Sequence, residues 1–313
     1  LYYYVKFHFK DQYIPNSLGD TMRLKGIFFV IMGSSLWGIS GTVAEYLFQV
    51  VHFPMDLLVM LRMTLAGTLI LTYLRLVKRM AILTIWRDWQ GLLAFSIIGM
   101  MGVQYAYFAA IQYGNAATAT ILQYLSPAII AVYAAFRNKR KPTSQMQIGI
   151  ALAMTGTFLI VTSGHLNTMS IDPKAFFWGI VSAVTAAFYT VQPQELLKKY
   201  GALQVVGWGM LVGGSVFAVI KRPAGINGPL TLTTLGAVLF VIIFGTLMAF
   251  TLYLASTRYI TPTETSILAS AEPLSAAFLS VSWLGNHLSG IQWMGMLLVM
   301  ATIALISKER TKV

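Results

Sequence analysis

Ten times along this chain an apolar run of about 20 residues is closed off by a short stretch of polar, glycine or proline residues. A run of that length is what an α-helix rising 1.5 Å per residue needs to cross the hydrocarbon layer of a bilayer. The runs fall at roughly 25–47, 54–77, 89–112, 116–137, 145–163, 174–194, 202–220, 232–257, 262–284 and 289–307. Composition agrees, since 57% of the 313 residues are hydrophobic and only 10% are charged, too apolar for an ordinary soluble domain. The expected fold class is an all-α integral membrane protein of ten transmembrane helices, with the lipid bilayer as its solvent.

The punctuation between runs has a physical reading. Pro54 opens the second, Gly114-Asn115 turns the third into the fourth, and Thr261-Pro262-Thr263-Glu264 fits a capping box at the start of the ninth. The net charge of +12 does not imply a nucleic-acid partner, because the basic residues form short clusters that flank the runs. Eighteen of the 22 lysines and arginines fall in segments on the side of the N-terminus and three on the other, with Arg62 inside a run. The positive-inside rule then places both termini in the cytoplasm and the chain in the cell membrane as a multi-pass protein, of the bacterial cytoplasmic kind. Residues 1–24 read as an N-terminal tail, with Met22 before Arg23-Leu24-Lys25 as the expected natural start, and 309–313 as a C-terminal tail. There is no cysteine, and the four histidines lie at or beyond run ends, so no cofactor and no metal is expected.

Sliding the chain by 146 residues without a gap superposes Pro127 on Pro273, Tyr107 on Tyr253, Tyr113 on Tyr259, Ile121-Leu122 on Ile267-Leu268 and Gly149 on Gly295, with 12 identities over residues 107–160. The expected domains are therefore two five-helix repeats, 25–164 and 174–308. An odd number of spans makes the second enter from the opposite face, and inverted repeats of this kind characterise transporters.

Leu36-Trp37-Gly38 in the first run, Leu61-Arg62 in the second, Leu125-Ser126-Pro127 in the fourth and Glu272-Pro273 in the ninth resemble, in that order, the EamA-type permeases of the drug/metabolite transporter superfamily. The resemblance covers about residues 25–307. It implies a secondary transporter, more often an exporter, with substrates from amino acids to quaternary amines and drugs. The chain departs from that family at the ends of runs four and nine, where Gly-Glu is common and Arg137-Asn138 and Gly285-Asn286 stand here.

Glu272 lies 11 residues past Thr261, about 16 Å from the membrane face and so near the midplane. A carboxylate at that depth is expensive and reads as a site. It either exchanges a proton or, ionised, pairs with a cationic group of a substrate. Pro127 and Pro273 each lack an N–H and leave a carbonyl unpaired four residues earlier, that of Gln123 and of Ala269. Those carbonyls call for water, substrate or a neighbouring side chain, so both helices are expected to line a cavity. Arg62, about 12 Å below the surface, and Glu45, near the far end of the first run, are expected to pair as a gate or clamp. Trp37, Gln104, Tyr105, Gln123, Tyr124 and Tyr189 lie deep in their runs and supply the aromatic faces and polar tips of an organic-solute pocket.

These residues favour transport of a small organic molecule by alternating access around Glu272, coupled to protons or to exchange, by a monomer or homodimer. No phosphate-binding loop is present for ATP. An intramembrane enzyme needs facing acids or a nucleophile pair at one depth, and only Glu272 is deep and acidic. A receptor would need an output domain, which no linker is long enough to hold.

Overall fold

Backbone N–H and C=O groups cannot stay unpaired in hydrocarbon, so a chain of apolar runs is driven into helices that pair them internally. The computed structural model describes residues 16–137, 143–163, 170–223, 225, 231–257, 259–260, 265 and 268–309, and the regular structure among them is helical. In chain order it comprises α1 (Asn16–Gln49), α2 (Met55–Val77), α3 (Ile82–Tyr113), α4 (Ala116–Gln123), α5 (Ser126–Arg137), α6 (Ser144–Thr162), α7 (Pro173–Val191), α8 (Gln194–Tyr200), α9 (Ala202–Lys221), α10 (Leu232–Ser256), α11 (Ala271–Ser282) and α12 (Gly290–Glu309). Among the described residues six helices are long and apolar enough to cross a membrane: α1 from Met22, α2, α3, α7, α9 and α10. Shorter apolar helices cover Ala116–Ile130, Gln147–Thr162 and Gly290–Thr302. Large apolar side chains such as Phe136, Met154, Val219, Leu232 and Phe278 are exposed around the bundle, the surface a multi-span protein turns toward lipid.

Helix starts carry the caps expected of them. Asn115 Oδ1 accepts the N–H of Thr118 at 2.8 Å to begin α4, and Asp172 Oδ1 accepts that of Lys174 at 2.6 Å, with Pro173 as the first residue of α7. At α12 Ser289 and Gln292 form a reciprocal capping box, Ser289 N donating to Gln292 Oε1 and Gln292 N to Ser289 Oγ. The capping box read at Thr261–Glu264 lies outside the described residues.

The structure departs from the sequence expectation at two places. The first helix begins at Asn16 rather than near residue 25, because helical hydrogen bonding can continue beyond the apolar run. The fourth run, expected as one helix, is divided at Tyr124-Leu125 into α4 and α5. Proline disrupts a helix interior but fits a first turn, where N–H groups have no partner in any case. Accordingly Pro127 is the second residue of α5 and Pro273 the third of α11. Among the described residues three further irregularities are π-turns, at Tyr73–Val77 at the end of α2, Phe95–Met101 in α3 and Ile243–Met248 in α10.

Small residues set the helix contacts. α2 packs along α9, and α6 along α12, where Gly156 and Gly295 face each other so closely that a Cβ on either would lie 2.6 Å from the other's carbonyl oxygen. α1 packs on α10 and α11. This central helix is where the polar interior is assembled.

Candidate functional site

α11 opens with Ala271-Glu272-Pro273, and the turn before it leaves the Ala269 carbonyl without the N–H that Pro273 lacks. Two groups replace it. Glu272 N donates to Ala269 O at 3.0 Å, and the Tyr124 hydroxyl, from the break between α4 and α5, lies 2.9 Å from the same oxygen. The hydroxyl is also 2.9 Å from Glu272 Oε2. The interruptions of the two runs are thus joined side chain to backbone, and the carboxylate sits at the join.

A hydroxyl carries one hydrogen, so Tyr124 donates either to Ala269 or to an ionised Glu272. When Glu272 carries a proton it can donate to the Tyr124 oxygen, which then donates to Ala269, and all three groups are satisfied. The protonation of one carboxylate therefore decides where the hydrogen bond at the helix break is made.

Around this pair the interior is aromatic. Tyr107 reaches α1 one turn from Gly38, its hydroxyl so close to Gly41 that a Cβ there would lie 2.5 Å from it. Tyr107 also shares a hydrogen bond with Thr120 Oγ1 at 2.8 Å. The Trp37 ring lies 4.9 Å from Phe250 and 5.1 Å from Tyr253, centre to centre. α1 approaches closely: a Cβ on Gly38 would overlap Ser275 Oγ and the Glu272 carbonyl oxygen. On the same helix Ser34 and Ser40 are buried with hydroxyl oxygens that have no hydrogen-bond partner. Unsatisfied buried hydroxyls are costly; that of Ser40 faces α10, where a Cβ on Gly245 would overlap it.

Arg62 is 6% exposed. Its Nε donates to Thr246 Oγ1 at 2.8 Å and its Nη2 to Gly245 O at 3.3 Å, both in the π-turn of α10, and its guanidinium lies 5.0 Å above the centre of Phe108. The expected pairing with Glu45 is not made. Glu45 accepts instead from Ala116 N at 2.7 Å and from Asn286 Nδ2, because the N-terminus of α4 offers it free N–H groups.

Other residues read as pocket-forming are dispersed. Gln123 donates to Ser182 Oγ at 2.7 Å and fastens α4 to α7. Tyr189 packs against Phe95 at 5.3 Å between ring centres. Tyr105 packs on Trp178 and Phe217, its hydroxyl accepting from Lys221 Nζ at 3.0 Å. Gln104 is buried against Met100 of its own helix. The structure joins Tyr124 to Glu272 and sets Trp37 against Tyr253, and it buries Tyr107, Ser34 and Ser40 in the interior as well. The superposition of Tyr107 on Tyr253 by the 146-residue shift was the available signal for two of these; nothing in the sequence separates Ser34 and Ser40 from other small helix residues.

The model of the EamA-like transporter family matches residues 24–162 and 173–308. The chain is 37% identical over 294 residues to the uncharacterized inner membrane transporter YicL of Salmonella typhimurium, covering 93% of this chain and 97% of that protein. It is 23% identical over 286 residues to the uncharacterized transporter YwfM of Bacillus subtilis, covering 91% and 94%. A crystal structure superposes with a TM-score of 0.60 at 19% identity, covering 94% of this chain and 98% of that one, a likeness of fold.

Proposed function

The chain belongs to the EamA-like transporter family, a family of secondary transporters, and on that premise we propose that it exports a small organic solute, such as a metabolite, amino acid, amine or drug, by alternating access around Glu272. The observation that carries this reading is the Tyr124 hydroxyl placed 2.9 Å from both Glu272 Oε2 and Ala269 O. It couples a carboxylate able to bind a proton or a cationic group to the point where two helices are interrupted. A change in the occupancy of Glu272 then alters the hydrogen bonding of the moving parts, which is the minimum a coupled transporter needs. Trp37, Tyr107 and Tyr253 supply the aromatic faces for the solute.

The architecture proposed for this cycle is ten spans in two inverted five-helix repeats, 25–164 and 174–308, with both termini cytoplasmic. Several paired features support it. The interruptions before Pro127 and Pro273 correspond under the 146-residue shift. The π-turn at Phe95–Met101 falls within two residues of that at Ile243–Met248 under the same shift. The contact of Gly156 with Gly295 has as its counterpart the bond from Thr302 Oγ1 to Gly149 O at 3.2 Å. Exchange of this kind across α6 and α12 is what a pseudo-twofold axis between them produces.

Flux measured in proteoliposomes with a panel of amino acids, amines and drugs tests the function. At least one is expected to move, and Glu272→Gln is expected to reduce coupled flux by about a hundredfold while the protein stays folded, since it removes both proton exchange and the negative charge. Flux that is unchanged in Glu272→Gln sinks the assignment of that residue.

A further inference from the structure

Glu45 lies seven residues along α1 from Gly38, and so about 10 Å from the Glu272 backbone toward one end of the molecule. It is fully buried. Its Oε2 accepts the N–H of Ala116, the first residue of α4, at 2.7 Å, and Ser280 Oγ of α11 approaches the same oxygen at 3.4 Å. Its Oε1 accepts from Asn286 Nδ2 just past α11, and Asn286 also donates to Ser280 Oγ at 2.7 Å. A carboxylate at a helix N-terminus is stabilised by the free N–H groups there, and this one is shared with a second helix. The grip extends along α1: Tyr46 stacks on Trp283 at 5.4 Å, and Gln49 Nε2 donates to Gly114 O at 2.5 Å.

The two helices held in this way are halves of interrupted runs. α4 precedes the break at Tyr124 and α11 follows the turn at Ser270, and they meet through Ala117, Ile121 and Ala277. Each is thus tied to α1 at one end and bounded by a break at the other, the arrangement that lets a short helix swing as a unit.

We propose that Glu45 is a positioning residue of the transport cycle, the latch of a gate that closes its end of the molecule over Glu272. It ties α4 and α11 to α1 through one carboxylate, so the hold on both weakens together when its bonds break. The proposal rests on the transporter reading of the Glu272 site.

The chain has no cysteine, so a single introduced thiol reports access. Thr42 is fully buried on α1 between Gly38 and Glu45, its hydroxyl directed at Gly38 O. In a Thr42→Cys background, reaction with a membrane-impermeant maleimide is expected to be slow. Adding Glu45→Ala or Asn286→Asp is expected to speed it by about tenfold, the effect of losing one charge-assisted hydrogen bond from the closed state. The combination of Glu45→Gln with Asn286→Asp keeps one carboxylate and one amide at the latch and is expected to return the rate to the slow value, which a merely loosened fold would not do. A control thiol at Ala153→Cys, buried on α6 against Ala128 and Leu125 and outside the latch, is expected to keep its own rate in every background. Three outcomes overturn the proposal: slow labelling in both single variants of folded protein, a combined variant that stays fast, or equal acceleration at Ala153→Cys. Labelling is read without substrate, so its failure is distinguishable from failure of the flux assay on Glu272→Gln.

Discussion

Tyr124 has one hydroxyl hydrogen and two acceptors at the same distance, Ala269 O and Glu272 Oε2. Removing that hydroxyl takes the tyrosine partner from Glu272 and leaves Ala269 O with the Glu272 N–H alone, at a cost of about 1–3 kcal/mol for the group left unsatisfied. Tyr124→Phe is therefore expected to lower the midpoint of thermal unfolding in detergent and to shift the pH profile of flux. A profile that keeps its shape and position in folded Tyr124→Phe protein removes the hydroxyl from the coupling and leaves it a packing role. Glu272 and the carbonyl freed by Pro273 were both legible in the sequence, since each is an anomaly within an apolar run. The identity of the group that meets them was not, because Tyr124 lies 148 residues away along the chain. The same limit explains Arg62 and Glu45. Two opposite charges in neighbouring runs suggest each other, but the π-turn of α10 and the start of α4 offer them better partners, and neither offer can be seen without the packed helices.

At the scale of elements, α1 is one unbroken helix where its neighbours are interrupted, and it lies against α10, α11 and α4. Its approach to α11 depends on Gly38, where any side chain would meet backbone atoms of Glu272 and Ala276. Gly38→Ala is expected to destabilise the protein by about 1–3 kcal/mol, since overpacking at a backbone contact forces the helices apart. Gly236→Ala in α10, where a Cβ would meet nothing, is expected to be neutral or stabilising by up to about 1 kcal/mol, because alanine favours a helix over glycine. Unfolding of the two variants in parallel, by heat or denaturant, checks the contrast; equal effects contradict the close approach. The division of the fourth run is an element-scale result with a residue-scale cause. Pro127 announces that something yields there, and the choice between a kink in one helix and two helices depends on what Tyr124 and Leu125 find to pack against.

For the whole molecule, the proposed topology predicts that a reporter fused after residue 308 and one inserted between residues 164 and 169 lie on opposite sides of the membrane, with the former cytoplasmic. Reporters of compartment, such as a periplasm-active phosphatase and a cytoplasm-active fluorescent protein, check this, and matching signals from both positions contradict an inverted arrangement. Hydropathy alone determined that the chain belongs in a bilayer and is built of helices, because the cost of unpaired backbone in hydrocarbon allows a run of about 20 apolar residues few other forms. The sequence also determined that a carboxylate stands inside an apolar run and that two prolines interrupt theirs, since both are local properties of the residues there. Only the tertiary structure decided which groups share the interior: Tyr124 with Glu272, Trp37 with Tyr253, Arg62 with the π-turn of α10, and Glu45 with α4 and Asn286. Burial is set by how long an apolar run is, whereas partnership is set by rotation and crossing of helices far apart in the chain, and small residues such as Gly38, Gly156 and Gly295 fix those at close range.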